Sequence, residues 1–398
     1  MIRAGLGVSI GWIGISMISD GVPALLLPHR FLADGQTDAT LLGMVTLVAI
    51  AFAAGLQPTA GHWSDRVGRY PIMAAGAVMA IAGLALFLAP GAAIIGTIVT
   101  LAGVSVGQAG QQALVADRIG PAWRGRAGGL KSAFDVAGAF AAFVVLAVLL
   151  GSGQAPLAIA VLAVALVGGF AVSRLLLGHQ SLPTGIPRPV RASYRLDSRA
   201  RRHLIMLIAA RFLFLLGIYV VGRFLLLFVA ERLDLDADTA GEGAGVALAL
   251  LALVAVLASV PSGWLADRVG RRPVMLVGGV LGAVGIALLT TATSLELVLA
   301  FGALMALGSA AFGSASWAML VDLTASDDAG RLMGIANLGT AAAAAMAGTF
   351  GLLIDAGGFE PAFILAAVCS MAGGLLAWRM ADVVRADSGL IGSMEVTR

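Results

Sequence analysis

The chain has 398 residues, of which 60% are hydrophobic and only 12% charged, with a mean hydropathy of +0.98. A soluble domain carries roughly 25% charged residues, because charge keeps its surface dispersed. This composition therefore excludes a string of water-soluble domains, and it leaves lipid as the solvent. The pI near 9.6 does not mark a nucleic-acid partner, since the charges sit in short clusters between apolar runs and not on one face.

Taken in chain order, apolar stretches long enough to cross a bilayer recur from one end to the other. The first covers 5–28; it lacks a small-residue cleavage site and reads as a retained helix, not a signal peptide. Five more cover 40–61, 71–90, 93–117, 127–150 and 155–177. A polar segment, 178–202, carries Pro183, Pro187 and Pro189 among arginines, and it reads as a cytoplasmic linker resting partly on anionic headgroups. The remaining six cover 203–230, 242–263, 273–292, 296–321, 329–353 and 360–383. A spanning segment must satisfy its backbone internally, and these runs lack the alternation of barrel strands, so they are helices. The expected fold class is an all-α membrane protein of twelve transmembrane helices. The expected domains are a six-helix bundle at 1–177, the linker at 178–202, and a second bundle with a short cytoplasmic tail at 203–398.

Orientation follows from the basic residues. Of 25 Lys and Arg, only Arg30 and Arg232 fall in loops on one side, and Arg211 and Arg223 fall inside a helix; all the others gather on the opposite side. Both termini are therefore expected in the cytoplasm. The lone cysteine, Cys369, excludes an intrachain disulfide, and the four histidines, His29, His62, His179 and His203, form no metal pattern. No cofactor and no enzymatic activity are expected.

A repeat organises the chain. After the second helix it reads Gly61-His-Trp-Ser-Asp65-Arg66-Val-Gly68-Arg69-Tyr70-Pro71, and after the eighth Gly263-Trp-Leu-Ala-Asp267-Arg268-Val-Gly270-Arg271-Arg272-Pro273. A second echo sets Asp117, Arg118 and Arg126 against Asp322 and Arg331. Parallel repeats of six helices are a transporter architecture. These two motifs, in these two positions, resemble the signature of the major facilitator superfamily, and the resemblance covers essentially the whole chain. Tyr70 departs from it, standing where a second basic residue is usual. The resemblance implies two pseudo-symmetric six-helix bundles, and a latch in which Asp65 and Asp267 close the cytoplasmic side against helix ends or arginines of the other half. Gly61 and Gly263 are expected to let helices approach, and Gly68 and Gly270 to allow tight turns.

Charges at membrane depth are functional hypotheses by default. Asp20 and Arg223 lie in the outer halves of the first and seventh helices, so they either face each other as a gate or snorkel separately. Asp135 either pairs with Lys131 one turn earlier or stands free to titrate. Asp20 and Asp135 are the candidates for proton coupling. Arg211 is a candidate anion ligand in the central cavity or a partner for Asp135. Gln108 and Gln112 share a face of the fourth helix and, with Gln57, Gln111, Tyr219 and Asn337, either line the path or bridge helices. No phosphate-binding loop is present. The expected function is secondary active transport of a small organic solute across the bacterial inner membrane by a monomer, with protons and lipid as its other partners. Export is favoured. The alternative is uptake of a sugar or organic anion, which the absent Gly-Pro pair of the fifth helix and absent arginine of the fourth helix support.

Overall fold

A computed structural model of the chain describes residues 2–119, 124–178, 198–323 and 329–380. Twelve helices in it are long and apolar enough to cross a membrane. They are α1 (Arg3–Ala33), α2 (Ala39–Val67), α3 (Arg69–Leu86), α4 (Ala93–Arg118), α5 (Arg124–Gly151), α6 (Ala155–Leu177), α7 (Ser198–Leu233), α8 (Ala237–Val269), α9 (Arg271–Leu289), α10 (Leu295–Leu323), α11 (from Ala329–Met346 through Gly351–Gly357) and α12 (Phe359–Trp378). Most of the expected linker lies outside the described residues.

Both copies of the repeated motif take the same local form. Asp65 and Asp267 sit inside the last turns of α2 and α8, and a single glycine separates each helix from the next. Gly68 has φ 100° and Gly270 has φ 99°, a region that a side chain disfavours. Pro58 lies inside α2 and Pro261 inside α8, three and two residues before the motif's first glycine. Asp38 caps α2 by accepting from Leu41 N–H at 2.7 Å, and Asp236 caps α8 by accepting from Thr239 N–H at 2.9 Å. In α1 a wide π turn over Val22–Leu26 begins beside Pro23, which has no N–H to give to the helical ladder.

Small residues let backbones meet within each half. Gly76 of α3 lies against Gly107 of α4, and Gly278 of α9 against Phe312 of α10, so α3 with α4 and α9 with α10 pack as equivalent pairs. The outward faces are apolar and open: Val260 is 79% and Leu175 74% exposed, which water would penalise and acyl chains do not.

Between the halves, close approaches lie at the end of the molecule opposite Gly68 and Gly270. There Gly43 of α2 meets Gly348 of α11, Gly351 meets Ala39, and Gly245 of α8 meets Ala147 of α5. At the motif end none of the described residues comes within 4 Å of where a side chain would start on Gly61 or Gly263. The expected close approach at those two glycines is therefore not made. Among the described residues, the closest backbone approaches between the halves are at the far end.

Candidate functional site

Between the halves lies a cavity of about 530 Å³, lined by α1, α2, α4, α5, α7, α8 and α11. Its α1 wall runs from Trp12 to Ala24, about 18 Å at the helical rise. The far-end contacts between the halves lie beyond its deep end, and its shallow end reaches Gln112 and Lys131 toward the motif end.

Of the described charged side chains, four line it. The shallower two are a pair: Lys131 Nζ donates to Asp135 Oδ2 at 3.2 Å, and Ser16 Oγ donates to Asp135 Oδ1. Lys131 also stands 3.7 Å from the centre of the Trp12 ring, a cation over a π face. This cluster ties α1 to α5. The deeper two are Asp20 and Arg223, and no ion pair joins them. Asp20 is ringed by protein yet open to the cavity. Arg223 is 7% exposed, and its Nε and Nη1 are buried without a hydrogen-bond partner. The two therefore share a space without closing on each other.

Neutral polar groups complete the lining. Gln108, Gln112, Gln57 and Tyr219 all reach the cavity, as does Ser105, whose hydroxyl donates to Ala53 O at 2.6 Å. Gln111 does not. It is fully buried and donates to Val8 O at 2.8 Å, bridging α4 to α1. The side chains of Arg126, Asp322, Arg331 and Asn337 lie outside the described residues.

Arg211 is corrected by its position. It is not among the cavity-lining residues. Its Nη1 donates to Ser316 Oγ at 2.6 Å, and its guanidinium lies 5.7 Å from the Trp317 ring centre, so it binds α7 to α10 within one half. Asp135, its expected alternative partner, is taken by Lys131 and Ser16. The cause is helical phase: Arg211 and Arg223 are 12 residues apart on α7, which rotates them by about 120°.

The motif-end carboxylates are also placed differently from the expectation. Asp65 pairs with Arg69, one turn on, in its own half. Arg69 Nε donates to Asp117 Oδ2 at 2.8 Å and Arg69 Nη1 to Ser64 Oγ at 3.2 Å, so the guanidinium clamps the ends of α2 and α4 to the start of α3. Asp267 is exposed, and Arg268 stacks 3.7 Å from the Trp264 ring centre. Among the described residues, no ion pair joins Asp65 or Asp267 to the other half.

Sequence reasoning missed the far-end contacts. Asp355 of α11 accepts from Ala39 N–H at 3.0 Å and Thr40 N–H at 2.7 Å, placing a carboxylate on the positive N-terminus of α2 across the halves. His29 of α1 meets Asp238 of α8 at 2.9 Å. Asp38 and Asp236 carry a legible capping signal, but nothing local links Asp355 to residue 39.

The family profile of the Major Facilitator Superfamily matches residues 12–241 and 207–390. No curated protein matches the sequence. Among solved structures, a mutant of the peptide transporter POT in complex with alafosfalin aligns with a TM-score of 0.74 at 14% identity, over 94% of this chain and 93% of that one. A D-xylose-proton symporter aligns at 0.71 and 18%, over 96% and 97%. A bacterial homolog to the human lysosomal transporter Spinster, in an inward-facing and occupied conformation, aligns at 0.69 and 18%, over 96% of both chains. At these identities the likeness shows the fold.

Proposed function

The chain belongs to the Major Facilitator Superfamily, and on that premise we propose that it moves a small polar solute across the membrane by alternating access, coupled to a proton on Asp20. One observation carries the reading. Asp20 and Arg223 face the same cavity without an ion pair between them. A carboxylate locked to a cation stays ionised; one left open to a cavity can take up and release a proton as the cavity changes sides. Asp135, held by Lys131 and Ser16, serves as a fixed structural pair.

The gathering of basic residues at the motif end supports a cytoplasmic placement of that end, and with it the reading of this conformation as inward-open; the proposed transporter is a monomer in the bacterial inner membrane. The polar lining, Gln57, Gln108 and Gln112 above all, suits a hydrogen-bonding solute better than a drug-like amphipath, which favours uptake over export. The D-xylose-proton symporter pairs a proton with a polar solute on the same fold; that is support by analogy.

Proteoliposomes loaded with a pH-sensitive dye test the reading. Adding a transported solute is expected to carry protons inward in the wild type. Asp20→Asn is expected to abolish that signal while solute exchange continues. Proton entry undiminished in Asp20→Asn removes Asp20 as the coupling site.

A further inference from the structure

We propose that the solute is a small monoanion, a carboxylate whose charged end docks on Arg223, and that one proton enters with each anion so that transport is electroneutral. The proposal rests on the cavity being the transport path and assigns the charge class of what it carries.

Arg223 lacks an acceptor. A buried charge without a partner is destabilising, and native proteins rarely keep one. Arg223 is only 7% exposed, and neither Nε nor Nη1 has a partner. Its guanidinium is a rigid fork of N–H donors whose geometry matches a carboxylate. Arg223 lines the cavity, so an acceptor for its guanidinium can reach it from there.

Charge balance points the same way. The groups that face Asp20 are Arg223 and Tyr219 from α7 and Asp135 and Lys131 from α5; α2, α4, α8 and α11 bring no charged side chain to the cavity among the described residues. Lys131 and Asp135 cancel each other at 3.2 Å. Asp20 and Arg223 then sum to zero. An anion entering alone leaves one uncompensated negative charge in a low-dielectric space, and a proton on Asp20 removes it. A cation meets Arg223 as a like charge, and a neutral solute offers the guanidinium acceptor oxygens but no compensating charge. The anion with its proton gives Arg223 a charged acceptor and keeps the cavity neutral. The uncharged part of the solute faces Gln57, Gln108 and Gln112.

The test uses purified full-length protein and probes that differ only in charge: lactate, gluconate and benzoate, each beside its amide and the amine of the same skeleton. Thermal stabilisation and affinity are read at acid and alkaline pH. The expected result is binding of at least one carboxylate, not of its amide or amine, and tighter at acid pH. Asp20→Asn is expected to make that affinity independent of pH. Arg223→Gln is expected to weaken it by about tenfold or more, the loss of a charge-assisted bond. Arg223→Lys keeps a cation in the buried site, and is expected to weaken binding by a similar factor if Arg223→Gln does not fold. Carboxylate affinity unchanged in these Arg223 variants overturns the proposal. So does an amide or amine that binds as well as its acid, although the cavity then remains a transport site. If no probe of any charge binds or exchanges, the transport reading fails with it.

Discussion

Arg211 and Arg223 are the same residue type on one helix, and the structure gives them opposite roles. Arg211 is engaged by Ser316 at 2.6 Å and by Trp317, so removing it breaks a contact inside one half. Arg211→Ala is expected to lower stability by about 1–3 kcal/mol, the usual loss for a hydrogen bond to a charged group, while ligand affinity stays within a factor of about two. Thermal melts and binding isotherms on one preparation separate the two effects. A large loss of affinity without loss of stability would return Arg211 to the cavity. The distinction was legible in part. Tyr219 and Arg223 are four residues apart and share a face, whereas Arg211 is turned away by about 120°. What the sequence could not say was which of the two faces meets the cavity, because that depends on where α10 and α1 pack. Similarly, the four-residue spacing of Lys131 and Asp135 announced their pair, but not Ser16 or Trp12 from another helix.

At the scale of elements, the motif glycines were readable and the far-end ones were not. Gly68 and Gly270 are adjacent in sequence to the turns they make, and each has the positive φ that its turn requires. Gly43 and Gly348 are each one glycine among 53, and only the packing of α2 on α11 pairs them. Gly348→Leu has no room there, since the obstacle is the backbone of Gly43 and not a mobile side-chain tip. With Cys369→Ser as background, the variant is expected to raise thiol labelling of a cysteine placed at Phe143, which lines the cavity, from the side opposite the motif. Unchanged labelling would mean that the α2 and α11 crossing does not hold the far end shut. The neighbouring cap of α8 gives a pH test. Thr239 donates its N–H and its hydroxyl to Asp236, and these bonds hold the carboxyl below the usual carboxylate range. A depressed folded-state pKa adds stability above the unfolded value and loses it as pH falls through the folded one. Asp236→Ala is thus expected to melt earlier than wild type at neutral pH, with the gap closing in acid. A gap that stays constant with pH would exclude the charged cap.

The whole molecule has two ends that a transporter working by alternating access cannot open at once, and Asp65 weighs on which of them is closed. In this conformation it pairs with Arg69 while its side chain is 65% exposed, so the pair contributes at most about 1 kcal/mol. With the motif end closed, the same carboxylate is expected to lie against a helix N-terminus or an arginine of the other half, with less water around it. There the interaction reaches up to about 2 kcal/mol. Asp65 therefore stabilises the closed motif end more than the open one, so Asp65→Asn is expected to move the population toward the state seen here, by about fivefold for a difference of about 1 kcal/mol. Gly61 and Gly263 point in the same direction, because their empty surroundings leave room for the helices that closure would bring in. Spin labels at the exposed positions His62 and Trp264 report the separation directly. Asp65→Asn is expected to enrich the long-distance population relative to wild type. A distribution that is unchanged, or shifted to short distances, would show that Asp65 acts through Arg69 alone, as a clamp on α2, α3 and α4 with no part in closing the halves.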